Sequence, residues 1–194
     1  MALTKVGKEG ITGIDNSSDA TAITISSGEN VGIGVVPETT WNSNIDALQL
    51  GLGASIYGDN TATGLQISAN TVATLGSSLN GYKYIGSDKA TTYQQYDGQH
   101  NFRVASSGSA DGDITWSTAL TIDNSGRAMI GTTTEGEASA DDLTVAGSAN
   151  TGITIRAGTS NSSSIYMSDA TSGTGEYAGY IAYAHASDSM SFGT

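Results

Sequence analysis

The chain has 194 residues and a formal charge of −12, from 19 acidic side chains against 7 basic ones. Such a surface repels phosphate backbones and anionic headgroups, which argues against nucleic-acid and membrane partners, and no window approaches the length of an apolar transmembrane span. Leu, Ile, Val and Phe supply under one fifth of the residues and Gly, Ala, Ser and Thr more than half, so a lone monomer sets ordering costs of about 1–2 kcal/mol per residue against few buried side chains.

Either much of such a chain is disordered or its apolar strips are buried against other chains, and the periodicity favours the second. The start, "MALTKVGKEG", lacks the apolar core of a signal peptide and carries Lys5 and Lys8 in an otherwise acidic chain. Short runs then alternate apolar with polar or small residues: "TAITI" (21–25), "ALQL" (47–50), "GLQIS" (64–68), "YKYIG" (82–86), "TALTI" (118–122), "DLTV" (142–145), "GITIR" (152–156) and "SIYMS" (164–168). This period of two reads as β-strands, and no stretch keeps helical spacing for three turns, so the expected fold is all-β with little or no helix. In "IDNSG" (122–126), Asp123 opens a turn through its side chain and Gly126 takes the left-handed position of a hairpin, with "ISSGEN" (25–30) as a variant. The segment "GIGVVP" (32–37) is glycine-rich but has no following Lys and no helix pattern, so it is not a phosphate loop.

The two hairpins belong to an internal repeat. At an offset of 97, Thr21, Ala22, Thr24, Ile25, Ile33, Gly34 and Glu38 meet identical residues at Thr118, Ala119, Thr121, Ile122, Ile130, Gly131 and Glu135. Further along, "TGLQISA" (63–69) meets "TGITIRA" (151–157), and Tyr93 and Tyr96 meet Tyr180 and Tyr183. The expected organisation is an N-terminal segment, 1–20, a first module, 21–117, and a second module, 118–194. The second lacks a counterpart to residues 103–117, so the natural polypeptide is expected to continue past Thr194 or to be completed by a partner.

Residues that carry chemistry are scarce. There is no Cys, and His100 and His185 are too few for a zinc centre. The pairs Asp111/Asp113, Asp59/Asn60 and Asp141/Asp142 offer oxygen ligands for calcium, but no EF-hand or repeat-type loop surrounds them and they read better as solvated turns. No acid and nucleophile stand in recognisable context. An enzyme, a metal site and a cofactor are not expected.

Alternating strands followed by a turn and a glycine-flanked Ile, as in "ITISSGENVGIG" (23–34) and "LTIDNSGRAMIG" (120–131), resemble the modules of tail fibres of tailed bacteriophages, and residues 151–194 are similar to their shafts. The resemblance implies an elongated, homotrimeric β-rich fibre in the virion. It also implies attachment to a tail or baseplate protein at the N-terminus, with Lys5 and Lys8 as candidate docking residues, and a distal fibre or host receptor at the C-terminal end. Ile23, Ile25, Ile33, Leu120, Ile122 and Ile130 are then the expected trimer core, with Leu120 and Ile122 inward and Thr121 and Asp123 in solvent. Tyr93, Tyr96, Tyr180 and Tyr183 either form a glycan-stacking surface or pack at chain boundaries. A capsid fibre and a trimeric bacterial surface adhesin are the alternatives, and the N-terminal sequence counts against the adhesin.

Overall fold

The computed structural model describes residues 23–60, 62–74 and 81–194. They are almost entirely β. The strands are β1 (Ile23–Ile25), β2 (Val31–Ile33), β3 (Ile45–Leu50), β4 (Ala54–Asp59), β5 (Ala62–Ala69), β6 (Val72–Ala73), β7 (Tyr82–Lys83), β8 (Ala90–Tyr96), β9 (Gln99–Ala105), β10 (Ser117–Ile122), β11 (Ala128–Ile130), β12 (Leu143–Val145), β13 (Ser162–Met167), β14 (Gly179–Ala184) and β15 (Ser189–Gly193). The only helical element among the described residues is a 3-10 segment, Gly173–Tyr177. The chain divides into two compact units after Gly147. The repeat boundary at 117/118 falls inside the first unit, where β9 and β10 are paired.

In the first unit ten strands form one open sheet in the order β1-β2-β3-β4-β5-β8-β9-β10-β11-β12. Nearly all neighbours are antiparallel, but β2 runs parallel to β3 and β11 parallel to β12. These two exceptions are the structural form of the repeat. In the first hairpin Ile23 faces Ile33 and Ile25 faces Val31; in the second Leu120 faces Ile130 and Ile122 faces Ala128, the same register 97 residues later. The turns match bond for bond. Ser26 N donates to Asn30 O (2.9 Å) as Asp123 N does to Arg127 O (3.0 Å), and Glu29 N donates to Ser26 O (3.1 Å) as Gly126 N does to Asp123 O (3.0 Å). The left-handed position is Gly126 at φ 85° in one turn and Glu29 at φ 64° in the other.

One face of this sheet is covered by the chain itself. The short pair β6–β7 and the segment leading to Ile114 lie over it, tied together by Tyr84 N to Gly112 O (3.0 Å) and Ile114 N to Tyr82 O (2.8 Å). Trp41, Ile45, Tyr57, Val72, Tyr82, Tyr84 and Ile114 make the apolar part of the core there. A Cβ on Gly108 would stand 2.1 Å from the Tyr84 ring, so only glycine lets the covering segment lie this close.

The sheet residues beneath this cover are mostly polar. Gln49, Ser55, Gln66, Ser68, Thr92, Gln94, Asn101 and Thr121 are all buried. Burying amides and hydroxyls is tolerable only when they are hydrogen-bonded. Here Tyr57 Oη donates to Gln66 Oε1 (3.1 Å), Gln66 Nε2 to Tyr82 Oη (3.1 Å), Ser68 Oγ to Thr92 Oγ1 (2.7 Å) and Thr121 Oγ1 to Asn101 Oδ1 (2.8 Å). Removal from water pushes the Tyr57 and Tyr82 phenols upward, so both stay neutral in this network, Tyr57 donating to the Gln66 amide and Tyr82 accepting from it.

The expectation that Thr121 and Asp123 point to solvent is overturned. Both are buried, on the covered face, and Leu120 and Ile122 take the other. The alternation was read correctly, but the cover comes from residues far away in sequence and selects the polar face.

The second unit holds a three-stranded antiparallel sheet, β13-β14-β15. The run "GITIR" is not a strand: 152–156 lack a paired neighbour, and Ile153 and Ile155 are exposed. Without a ladder partner, a strand-like pattern has nowhere to place its backbone donors and acceptors.

Candidate assembly surface

With the polar ladder covered, the opposite face of the ten-stranded sheet presents apolar side chains to the outside. Paired residues of neighbouring strands share a face, so a row can be followed across the whole sheet. Ile25 faces Val31, Val31 faces Leu48, Leu48 faces Ile56 and Ile56 faces Ile67. Ile67 faces Tyr93, Tyr93 faces Phe102, Phe102 faces Leu120, Leu120 faces Ile130 and Ile130 faces Val145. Each of the ten strands contributes one apolar residue. Along the row Ile25 is 71% exposed, Ile67 48%, Phe102 42% and Ile130 43%, while Val31, Leu48, Tyr93, Leu120 and Val145 are half-buried by their neighbours.

Ile23 and Ile33 open a flanking row that continues through Leu50. Ile122 stands in a third, beside His100. The six residues expected to form a shared core therefore lie on one continuous face, together with Leu48, Ile56, Ile67, Tyr93 and Phe102. The segment "TTYQQYDGQHNF" carries many amides between its aromatic residues; Gln94 and Asn101 lie in the covered ladder, while Gln95, paired with Leu65 and His100, shares the outer face.

Within each unit the two tyrosines expected to share a stacking surface lie on opposite faces of their sheet. Tyr93 lies in the apolar row, stacked on Phe102 with ring centroids 4.8 Å apart, and its hydroxyl meets His100 Nδ1 at 2.5 Å. Tyr96, three residues on, belongs to the opposite face. In the second unit Tyr180 packs with Tyr166 at 6.3 Å on one side of the sheet, and Tyr183 sits on the other with His185, donating to Asp188 Oδ1 (3.0 Å).

Two of the three acidic turns are met by the protein's own cations. Lys83 Nζ pairs with Asp113 (3.2 Å) and donates to the Asp111 carbonyl (2.8 Å). Arg127 pairs with Asp123 (2.7 Å), Asp141 (3.0 Å) and Glu135. The Arg127 guanidinium, then the Arg127 and Ser125 backbone N–H groups, hold the Asp123 carboxyl below its ordinary value. No cluster of three metal-ligating side chains occurs among the described residues. Lys5 and Lys8 lie outside the described residues. No family model matches the chain, and no curated protein is significantly similar to it.

Proposed function

We propose that this chain is a virion structural protein, part of a homotrimeric tail fibre or its anchor, with the apolar row of the ten-stranded sheet as the surface on which three copies meet. The observation that supports this most is the inversion of the sheet. Its buried face is lined mostly by polar residues, several of them hydrogen-bonded to one another, and its open face is an unbroken row of ten apolar residues. Exposed apolar tracts of this extent mark interaction sites, and closed symmetry buries the same patch on every copy. In this reading the protein is not an enzyme. It links the particle to a distal receptor-binding element, and its N-terminal segment docks on the tail or baseplate.

Light scattering coupled to size exclusion tests the assembly, with an expected mass three times 19.6 kDa. A folded monomer overturns the reading. Phe102→Ser, which removes an exposed ring at the centre of the row, is expected to lower the assembled fraction while leaving the strand content of the chain unchanged. Antibody labelling of whole particles in negative stain tests the location: label along a fibre supports it, and label confined to the head wall rules it out.

A further inference from the structure

The second unit raises a question that the first does not: what holds it folded. None of residues 148–194 is buried. A three-stranded sheet with Tyr177 of the 3-10 segment against Tyr166 at one end of one face, and with none of its residues buried, gains little from its own packing and needs a further covering layer to persist. Its two faces differ. Ser162, Ser164, Ala182, Ala184, Ser189 and Ser191 give one face small side chains, with Tyr166 beside Tyr180 at its end. The other face carries Ile165, Ile181 and Phe192 in one cross-strand row, with Met167 and Met190 on either side. On this face Phe192 is 74% exposed, Met190 62% and Ile165 50%.

We infer that this face, centred on Ile165, Ile181 and Phe192, is a second self-association surface, covered by the same face of other copies of the chain, and that β13–β15 is stably folded only when so covered. The inference rests on the reading of the chain as a homo-oligomer. It rests also on a separate observation, the distribution of charge. The chain carries −12, yet β13, β14 and β15 contain no Asp, Glu, Lys or Arg. Asp188, in the turn between β14 and β15, accepts from Tyr183 on this face, but the strands themselves offer a charged partner nothing to pair with, and the net charge of the chain repels anionic lipid. An identical copy is the occupant that a strongly acidic chain most needs to meet on uncharged ground, because acidic side chains at a self-contact face one another across the symmetry axis. The edges agree. Neither β13 nor β15 carries the Lys or Pro that solitary edge strands use to prevent pairing.

The test is amide hydrogen exchange on the full-length chain, read separately for 162–193 and for β3–β9, alongside the mass in solution. The wild-type multimer is expected to protect both regions. Phe192→Ser removes a ring that touches little within its own chain, so in a lone chain it is silent. Here it is expected to abolish protection of 162–193 while β3–β9 stay protected. Tyr166→Ser, on the opposite face, is expected to leave protection in place. A multimer in which wild-type 162–193 exchanges like an unfolded chain overturns this inference and spares the homo-oligomer reading. So does a Phe192→Ser multimer with full protection. A monomer overturns both. Protection that appears only on adding phosphatidylcholine vesicles assigns the face to lipid and overturns the inference.

Discussion

The hairpins β1–β2 and β10–β11 share a register, a turn and a set of turn hydrogen bonds, yet their side chains have different surroundings. In the first, β1 is the last strand of the sheet, so Ile23 and Ile25 are 61% and 71% exposed and Thr24 is only half-buried. In the second, β10 has β9 on its other side, and Thr121, the counterpart of Thr24, is 1% exposed with its hydroxyl bound to Asn101. Local sequence determines the hairpin, and neighbours determine what its residues are worth. Each hairpin is also tied onward by the residue closing its turn. Asn30 Oδ1 accepts from Ala47 N (2.8 Å) in β3, and Arg127 gathers Asp141 and Glu135 from the segment before β12.

The widest contrast is expected from one charge placed at equivalent positions. Thr121→Asp puts a carboxylate among buried groups, against the Asn101 carbonyl oxygen, at a cost on the order of 3–5 kcal/mol. Thr24→Asp, on the open edge, is expected to stay within about 0.5 kcal/mol. Urea unfolding of the two variants measures the difference, and equal midpoints would show that strand position does not govern these sites. Ile122→Asp, on the outer face, is expected to reduce assembly measured by light scattering more than it shifts that midpoint.

A smaller contrast lies in the turns. Gly126→Val forces a β-branched residue to positive φ and is expected to cost about 1–3 kcal/mol. Glu29→Gly relieves a left-handed non-glycine residue and is expected to raise stability by about 0.5–1 kcal/mol, what remains of the relief after glycine's extra chain entropy. Opposite signs in thermal melting confirm that the two turns hold one conformation with different residues.

Smallest is the dependence on acid. The Asp123 carboxyl is held below the ordinary value of 3.8, chiefly by Arg127. A depressed carboxyl contributes stability that is complete above its unfolded value and lost as pH falls through its folded one. Ser26, its counterpart, does not titrate. Asp123→Asn is therefore expected to flatten part of the loss of stability below about pH 4, and Ser26→Ala to leave that slope unchanged. Denaturant titrations at a series of pH values compare them.

Much of this was legible in the sequence. Alternation in "TAITI" and "TALTI", the Asp and Gly of "IDNSG" and the offset of 97 lead directly to the paired hairpins, because hairpins are built from contacts close in sequence. What was not legible depends on distance. Nothing near Thr121 says that Tyr82 and Ile114 will cover its side of the sheet, and nothing near Gln66 says that the Tyr57 and Tyr82 hydroxyls will meet its amide. The tyrosine pairs part for a simpler reason. Tyr93 and Tyr96, like Tyr180 and Tyr183, are separated by an odd number of positions, which on a strand sends them to opposite faces.

The inverted sheet also bears on how the protein would be made. A chain whose interior is held by Gln66, Ser68, Asn101 and Thr121 can close that interior alone, because these bonds are intramolecular. Its outer row is satisfied only by diffusional encounter with other copies, a step whose rate depends on concentration. Until then each molecule displays an adhesive strip open to any apolar surface. Refolding yield should therefore pass through a maximum with concentration: in dilute solution copies fail to meet, and in crowded solution unselective collisions outrun the correct one.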